Sequence, residues 1–310
     1  MTNRYDTISF LSDHGRTDEF VGLVHSVVRH LSPGTHLIDV THEIDPHDVR
    51  GGGLTLARAA QYLCSGVVLV SVDTVTPSPR PSVAVEVGGG VSVLVGPDNG
   101  VLAPAVAMVG GADRAVRLTN DEFHLPTDAA RSEGRDVLAP VAAHLCAGVP
   151  LEELGELADP AGLMPATFPL TRTEDGKVLG EVLWVDRFGN VQLNVDPDEL
   201  AEMGSRFELR TGTEERRAGS VGRVRGADVL GTGEVGLVLD AYGMLAIAAN
   251  RFPAAEQLGL AAGDAITLVP LGDGPDDAGA AGVTTAVELG RPGQSGRPGS
   301  PAPTEGQAGQ

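Results

Sequence analysis

Residues 7–40, TISFLSDHGRTDEFVGLVHSVVRHLSPGTHLIDV, contain the pattern that decides the fold. An apolar, strand-like run over 7–11 is followed by a polar turn, a helical pattern over 18–31 and a second strand-like run over 36–40. Strand, helix and strand in such close succession predict a layered unit in which parallel strands are joined by a helix.

The same alternation continues on the C-terminal side of this stretch. Strand-like runs lie at 66–72, 82–87 and 91–95, and helical patterns lie at 52–63, 101–109 and 136–146. The last of these helices opens with an acidic residue and is followed by Ala147-Gly148, as helix termini prefer. The elements predict the fold class α/β, with an N-terminal α/β layered domain over residues 1–158 and a largely parallel sheet.

The pattern changes at Lys177. Short alternating strands are predicted at 178–185, 191–195, 206–210, 235–239 and 265–269, with turn residues between them. They favour a smaller, C-terminal β-barrel-like domain over residues 177–270. Residues 159–176 lack periodicity and are interpreted as a linker. Residues 271–310 contain ten Gly and five Pro and are predicted to be a disordered tail, because they bury too little apolar surface to offset the entropy of ordering.

Composition and charge exclude several classes of partner. The chain of 310 residues carries a net charge of −20 and has an isoelectric point near 4.6, which argues against nucleic-acid and membrane partners. No apolar run reaches the roughly 18 residues of a membrane span, and the N-terminus lacks the features of a signal peptide. We therefore expect a cytoplasmic protein, in which Cys64 and Cys146 are reduced residues of the core.

Four short segments combine residue types that suit a ligand site. They read VDRFGNVQLN at 185–194, SDHGRTD at 12–18, GPDNG at 96–100 and GRD at 134–136. An aromatic side chain covers a flat ring, Gly allows close approach of the backbone, and Asn offers both a donor and an acceptor to the edge of a nucleobase. Turn and helix-cap chemistry also explains each segment taken alone.

Taken in order, the four segments resemble the S-adenosyl-L-methionine (SAM) hydroxide adenosyltransferases, whose relatives include the SAM-dependent fluorinases and chlorinases. The resemblance runs from about Ile8 to about Val269. It implies hydrolysis of SAM to adenosine and L-methionine by in-line attack of water or hydroxide at ribose C5′. It also implies that SAM is the substrate, that no cofactor is used, and that a homotrimer forms its sites at subunit interfaces.

The resemblance assigns roles to residues of the first domain. Asp13 matches the carboxylate that binds the ribose diol, and Asp18 lies towards the methionine end. Asn99 belongs to a turn near the ligand. Asp73 and Arg80 match an Asp and an Arg that flank the nucleophilic water. The loop between them, Asp73-Thr-Val-Thr-Pro, departs from the family's Asp-Pro-Gly-Val-Gly. We expect Arg80 to fix the Asp73 carboxylate as an ion pair.

A sharper departure occurs at Glu133. The family has Phe-His-Gly-Arg-Asp where this chain has Ser-Glu-Gly-Arg-Asp over 132–136, so Glu133 stands in the place of the third catalytic residue, a His. A carboxylate can position water or act as a base, but Glu133 is equally explained as a solvated loop residue. His124 can substitute only if its loop folds back.

The second domain carries the other half of the resemblance. Asp186 matches the residue that binds the methionine ammonium, Phe188 the aromatic that packs on adenine, and Asn190 the amide that hydrogen-bonds adenine. The family's Asn-Ser-x-Gly, which contacts the methionine carboxylate, is Asp-Ala-Tyr-Gly over 240–243 here, and Tyr242 is the candidate replacement. The polar residues His42, Asp45, His47 and Asp48 superficially suggest metal ligands, but no Cys accompanies them and we predict no metal.

Two alternative functions remain open at this point. A SAM-dependent halogenase is one, although a carboxylate at Asp73 would repel the halide. A protein that binds SAM or adenosine without turnover is the other, and the departures at Glu133 and Tyr242 motivate it.

Overall fold

A computed structural model describes residues 5–74, 79–128, 130–167, 169–212 and 216–271, without the side chains of 216–218. Runs rich in Val, Leu and Ile form the central strands of the first sheet, because β-branched side chains suit a pleated surface that is buried on both faces. The seven strands of this sheet are β1 Thr7–Ser12, β2 His36–Thr41, β3 Val67–Ser71, β4 Val83–Val87, β5 Ser92–Gly96, β6 Arg114–Arg117 and β7 Glu156–Ala158.

The first sheet has the strand order β2-β1-β3-β5-β4-β6-β7. Strands β2, β1, β3 and β5 are parallel neighbours, whereas β4 and β7 run antiparallel to the strands beside them. Five of the seven strands therefore point the same way, which confirms the predicted α/β domain with a largely parallel sheet. The carboxyl ends of β1, β3 and β5 consequently meet at one edge.

Helices cover both faces of this sheet and enclose two apolar cores. Helices α1 (Phe20–Leu31) and α4 (Ala139–Cys146) pack together on one face, and α2 (Val49–Ala60) and α3 (Ala103–Met108) pack together on the other. A wide helical turn of the π type, Glu133–Leu138, leads into α4. The predicted helix over 136–146 thus begins as a wider turn, and this turn carries Glu133.

The second sheet closes on itself into a barrel. Its order is β10-β14-β13-β12-β11-β15-β9, with β10 also paired to β9, and β8 is attached outside β9. Buried Val, Leu, Ile and Phe side chains fill the interior, and a short helix, α5 Ala254–Leu258, packs at one end. The predicted barrel-like second domain is confirmed. Its strands are β8 Arg172–Glu174, β9 Lys177–Val185, β10 Val191–Leu193, β11 Arg206–Thr211, β12 Arg216–Arg223, β13 Val235–Leu239, β14 Leu245–Ala249 and β15 Ala265–Pro270.

Two arginines of α2 join the two sheets within one chain. The guanidinium of Arg58 lies 4.1 Å from the centre of the Trp184 ring, and Arg50 forms an ion pair with Glu181. Since both the aromatic and the carboxylate partner lie on β9, helix α2 contacts the barrel directly.

The predicted linker lies mostly within the described residues, whereas the predicted tail lies almost entirely outside them. The interpreted linker, 159–176, contains the strand β8 and a single turn, Pro160–Gly162. The predicted disordered tail lies outside the described residues from 272 onwards. Within the described ranges, no helix is long and apolar enough to cross a membrane.

The two cysteines differ in burial. Cys146 is buried in the first core, and burial raises the pKa of its thiol to about 11. The placement of Cys64 in the core is wrong: α2 ends at Ala60, and Cys64 lies exposed in the loop that follows. Both thiols are free, so neither forms a disulfide.

Candidate active site

Three loops meet at the carboxyl edge of the parallel strands. Asp13 follows β1, Asp73 follows β3, and the turn with Asp98 and Asn99 follows β5. Ligands of open α/β sheets bind outside the carboxyl ends of the strands. The fold therefore brings the first-domain candidates to the edge where a ligand is expected.

The Asp13 carboxylate ties two of these loops together. Its Oδ2 accepts hydrogen bonds from the backbone N–H of His47 and of Asp73, each at 3.0 Å. The side chain is only 8% exposed. This carboxylate thus holds the backbone of the loops that follow β2 and β3, and its Oδ1 lies 3.9 Å from His14 Nε2.

The three catalytic candidates line one cavity. Asp73 and Arg80 come from the loop between β3 and β4, Glu133 comes from the turn before α4, and the cavity that they line measures about 230 Å³. The Glu133 carboxylate accepts a hydrogen bond from Ser82 Oγ at 2.7 Å, so it faces this cavity in a held position. The other lining residues are Thr74, Pro79, Ser82, Pro97, Asp98, Asn99 and Met164.

Arg80 pairs with Asp98 rather than with Asp73. Arg80 Nε donates to Asp98 Oδ2 at 2.7 Å, and Asp98 Oδ1 accepts from the backbone N–H of Met164 at 2.7 Å. The expected Arg80–Asp73 ion pair is therefore wrong: the Asp98 side chain is only 6% exposed and requires a cation more than the open Asp73 does. Sequence reasoning missed Asp98, although it stands in the GPDNG turn.

Of the other first-domain candidates, Asn99 lines this cavity, whereas Asp18 and His124 are not among its described lining residues. Asn99 Nδ2 donates to the carbonyl of Val72 at 3.1 Å, which joins the turn after β5 to the end of β3. Asp18 is exposed in the loop before α1. His124 is buried against Asp121 and is not among the described residues that line the cavity, so it does not stand in for the family's His.

Two histidines missed as site residues lie beside Asp13. His14 stacks on Phe20 with ring centres 3.5 Å apart, and its Nε2 is 3.3 Å from Ser71 Oγ. Burial lowers the pKa of His14, although the charge of Asp13 opposes that shift. The second histidine, His47, has its Nδ1 2.9 Å from Asp73 Oδ1. For His14, the one signal in the sequence is its place directly after Asp13, and for His47 the contact appears only in the fold.

A buried network of polar side chains around His42 links the ends of β1 and β2 at this edge. His42 Nδ1 is 2.8 Å from Ser12 Oγ, and its Nε2 is 3.1 Å from Asp39 Oδ1. Burial lowers the pKa of His42 and outweighs the opposite effect of Asp39, so the ring is neutral near pH 7. Within the described ranges, no group of three or more His, Cys, Asp or Glu side chains is arranged to hold a metal ion; His42 serves the network instead.

The second-domain candidates form a turn of their own between β9 and β10. Asp186 Oδ1 accepts from the backbone N–H of Phe188 and of Asn190, each at 2.8 Å, and Asp186 Oδ2 accepts from Asn190 Nδ2 at 2.7 Å. Gly189 has φ +79°, and a Cβ there would collide with Pro253. The turn is therefore rigid, yet the Phe188 ring is 79% exposed.

Tyr242 lies in the turn between β13 and β14. Its backbone N–H donates to Asp240 Oδ1 at 2.8 Å, and its ring centre is 5.9 Å from the Arg58 guanidinium. Tyr242 is 44% exposed. Among the described residues, the cavity of Asp73 and Glu133 is lined by no barrel residue, so one chain does not bring the two sets of candidates around a single cavity.

This geometry defines a class of two-domain proteins. One domain offers the carboxyl edge of an α/β sheet, and the other offers a polar turn on a β-barrel. The family model of the SAM hydroxide adenosyltransferase N-terminal domain matches residues 8–155, and that of the C-terminal domain matches residues 180–267. The chain belongs to the SAM hydroxide adenosyltransferase family.

Individual relatives agree with this assignment. A Salinispora tropica protein named (R)-S-adenosyl-L-methionine hydrolase is 41% identical, over 84% of this chain and 97% of its own. A Thermus thermophilus protein of the same name is 35% identical, over 84% of this chain and 99% of its own. A fluorinase from an Actinoplanes species is 26% identical over 84% of this chain. The crystal structure of an uncharacterized conserved protein from Thermotoga maritima superposes with a TM-score of 0.76, at 31% identity, over 84% of this chain and 99% of its own.

Proposed function

We infer that this protein is an enzyme that hydrolyses SAM to adenosine and L-methionine. The observation that carries the inference is the identity of 35–41% with proteins named (R)-S-adenosyl-L-methionine hydrolase, over most of both chains. The geometry agrees with it, because Asp13, Asp73, Arg80 and Glu133 meet at the carboxyl edge of the sheet.

The proposed reaction makes modest chemical demands. Water attacks C5′ of the ribose in line with the sulfonium, the C5′–S bond breaks, and methionine departs as a neutral thioether. The leaving group needs no acid, and the reaction needs no cofactor. The enzyme has to hold water in line and exclude bulk solvent, and we assign this to Asp73, Arg80 and Glu133. Asp98 fixes Arg80 for that role, and Ser82 fixes Glu133.

The test is incubation of the purified protein with SAM, with adenosine and methionine separated by chromatography. Equal amounts of the two products are expected. S-adenosylhomocysteine together with a methylated acceptor would overturn the proposal, because they arise from breaking a different C–S bond.

A halogenase is the second candidate, favoured only by the more distant likeness to fluorinases. The position of Asp73 in the cavity wall argues against it, since a carboxylate there repels fluoride or chloride. The same assay with added halide separates the two. A 5′-halo-5′-deoxyadenosine as the main product would replace the hydrolase assignment.

The departures at Glu133 and Tyr242 keep a third reading testable: a protein that binds SAM without turnover. Calorimetry with SAM, paired with the product assay after long incubation, decides it. Binding with no adenosine would favour this reading over hydrolysis.

We also propose that the active form is a homotrimer whose sites combine two subunits. The cavity of about 230 Å³ is below the roughly 300–1,000 Å³ of a typical ligand pocket. Asp186, Phe188 and Asn190 form a rigid turn whose aromatic ring is exposed in the single chain. We assign Asp13 and Asp18 to the ribose and methionine ends, and the barrel turn of a neighbouring subunit to adenine and the methionine ammonium, with Tyr242 at the carboxylate.

Light scattering on the purified protein tests the assembly directly. Three times the chain mass of 31.8 kDa is expected. A monomer that binds SAM tightly would overturn the shared site.

A further inference from the structure

Arg58, in the last turn of α2, is a half-buried cation without a carboxylate partner. Among the described residues, no Asp or Glu forms an ion pair with it. The chain has 42 acidic residues against 22 Lys and Arg, so carboxylates are plentiful, and a cation that is partly out of water is normally paired with one. Ion pairs are formed by four other arginines of the same domain, Arg16, Arg50, Arg80 and Arg114.

Aromatic and neutral polar groups hold Arg58 in place. Its guanidinium lies 4.1 Å from the centre of the Trp184 ring and 5.9 Å from that of the Tyr242 ring. Nη2 donates to Thr55 Oγ1 at 3.0 Å, and Nη1 lies 3.5 Å from Gln192 Oε1. The aromatic faces attract the cation, but none of these groups neutralises its charge.

One edge of the Arg58 guanidinium is left for a ligand. Within the described ranges, its Nε has no hydrogen-bond partner and yet is not sealed from solvent, whereas the unpaired Nε and Nη2 of Arg50 on the same helix are both sealed. Burial lowers the pKa of Arg58, and nearby Tyr242 and Asp240 oppose that shift. A guanidinium nevertheless stays protonated near pH 7, so Arg58 offers an accessible positive charge.

This charge lies beside the barrel turn of residues 186–190. Trp184 and Gln192, which both contact Arg58, are paired across β9 and β10, and the turn lies immediately beyond that pair. The turn carries Asp186, to which the proposed function assigns the methionine ammonium. The ammonium and the carboxylate of an amino acid are bonded to the same carbon, so the groups that bind them have to lie close together.

SAM has one group that suits a guanidinium. Its sulfonium and its ammonium are positive and are repelled, whereas its carboxylate is negative and matches the planar N–H fork of Arg. Asp240 does not compete for this role. One of its oxygens accepts the backbone N–H of Tyr242 and of Met244, and the other accepts from the Gln192 side chain.

We propose that Arg58 binds the carboxylate of the methionine part of SAM. The identity of the ligand rests on the proposed function, and Arg58 adds to it the charged residue that stands beside Tyr242. Because Arg58 lies against the barrel of its own chain, the barrel half of the shared site includes one residue of the first domain. Trp184 stacks on the guanidinium and fixes its plane.

Decarboxylated SAM, which lacks only the carboxylate, isolates this contact. Calorimetry measures the Kd of SAM and of this analogue for wild type, Arg58→Met and Arg58→Lys. We expect wild type to bind SAM at least about tenfold more tightly than the analogue. Arg58→Met should weaken SAM binding about 10- to 100-fold and should not weaken binding of the analogue. Arg58→Lys keeps the charge without the fork, so it should recover part of the loss.

Arg50→Met is the matched control. Arg50 also joins α2 to β9, through its ion pair with Glu181, but its unpaired N–H groups are sealed from solvent. This variant should therefore change the Kd of both ligands by the same factor. Thermal melts of all variants report any loss of folding.

Three results would overturn the proposal. SAM binding by Arg58→Met equal to that of wild type removes Arg58 from the site. Equal weakening of both ligands by Arg58→Met assigns the residue to packing of the two domains. A wild type that binds both ligands equally has no carboxylate contact for Arg58 to supply.

The product assay separates this inference from the hydrolase assignment. A wild type that prefers SAM to the analogue through Arg58 but releases no adenosine overturns hydrolysis and supports the carboxylate contact. A wild type that releases adenosine, with Arg58→Met binding SAM normally, supports hydrolysis and overturns the contact. A wild type that binds neither ligand overturns both.

Discussion

The sheet edge of the first domain and the turn of the barrel are built differently. At the sheet edge, Asp13 and Asp98 are less than a tenth exposed and connect loops that are far apart in sequence. The side-chain bonds of Asp186 in the barrel turn stay within the turn, which is joined to α5 by the backbone N–H of Ala255 donating to the Gly189 carbonyl, and the exposed fraction of Phe188 is 79%. The first region is organised by the chain's own fold. The second is rigid but lacks a surface to act against, and we assign that surface to a second subunit.

The largest expected effect on activity comes from a substitution at the sheet edge of the first domain. Asp73→Asn keeps a residue that tolerates positive φ and removes the carboxylate that faces both His47 and the cavity. We expect kcat to fall about 10²- to 10⁴-fold, with the thermal midpoint shifted little. Initial rates of adenosine release and a thermal melt measure the two. An unchanged kcat would remove Asp73 from the mechanism.

Subunit mixing tests whether the two halves come from different chains. Asp73→Asn and Asp186→Ala are each expected to be nearly inactive alone. If a site joins the first domain of one subunit to the barrel of its neighbour, random mixing makes about a quarter of all sites intact. Recovery of about a quarter of wild-type activity is therefore expected after the two variants are unfolded, mixed and refolded together.

The mixing experiment needs proof that subunits exchange. Native mass spectrometry of one isotopically labelled variant supplies it. Complete exchange without recovered activity would show that each chain completes its own site.

The sequence predicts the parts of this protein that depend on local pattern. The βαβ alternation and the barrel follow from periodicity and turn residues, and the family motifs lead to Asp73, Arg80 and Glu133, which do share a cavity. Strands β12 and β14 were missed because RRAGSVGR and LAIAA lack the alternation of polar and β-branched residues on which a strand prediction depends.

Side-chain contacts between segments that are distant in sequence could not be predicted. Arg80 and Asp98 are 18 positions apart, and His47 and Asp73 are 26 apart. The antiparallel pairing of β4 with β5, which sets Val83 opposite Gly96, brings the first pair together, and the loop that returns from β2 towards α2 brings the second. Neither contact lies within one helix or strand, so local periodicity does not predict which side chains meet.

The variant Phe188→Ala tests whether the exposed ring of the barrel turn contacts the substrate. The exposed ring contributes little to the fold of one chain, so the free energy of unfolding of the subunit should change by less than about 0.5 kcal/mol. If the ring packs on adenine, the KM for SAM should rise about tenfold, with kcat much less affected. Phe207→Ala is the contrasting variant: that ring is buried in the barrel, and its loss should cost about 3–5 kcal/mol of stability.

A KM for Phe188→Ala equal to that of wild type would mean that the exposed ring does not meet the substrate. Because the stability measurement is made on the same samples, a misfolded barrel cannot be mistaken for a lost contact.

The smallest expected effect concerns the acid stability of the sheet edge, through Asp136 in the turn that carries Glu133. Burial raises the pKa of Asp136, but hydrogen bonds from Arg135 and from the Ser132 backbone N–H outweigh it, and the pKa lies below its usual value. A lowered folded-state pKa stabilises the protein fully above the unfolded pKa of about 4, and this contribution is lost as pH falls through the folded pKa. Asp136→Asn should therefore lower the free energy of unfolding by about 1–3 kcal/mol at pH 7, and urea titrations should show the gap closing as pH falls below about 4. Asp228→Asn, at an exposed carboxylate on the barrel, should show no such gap. A difference for Asp136→Asn that stays constant from pH 7 to pH 3 would mean that packing, not charge, holds this turn in place.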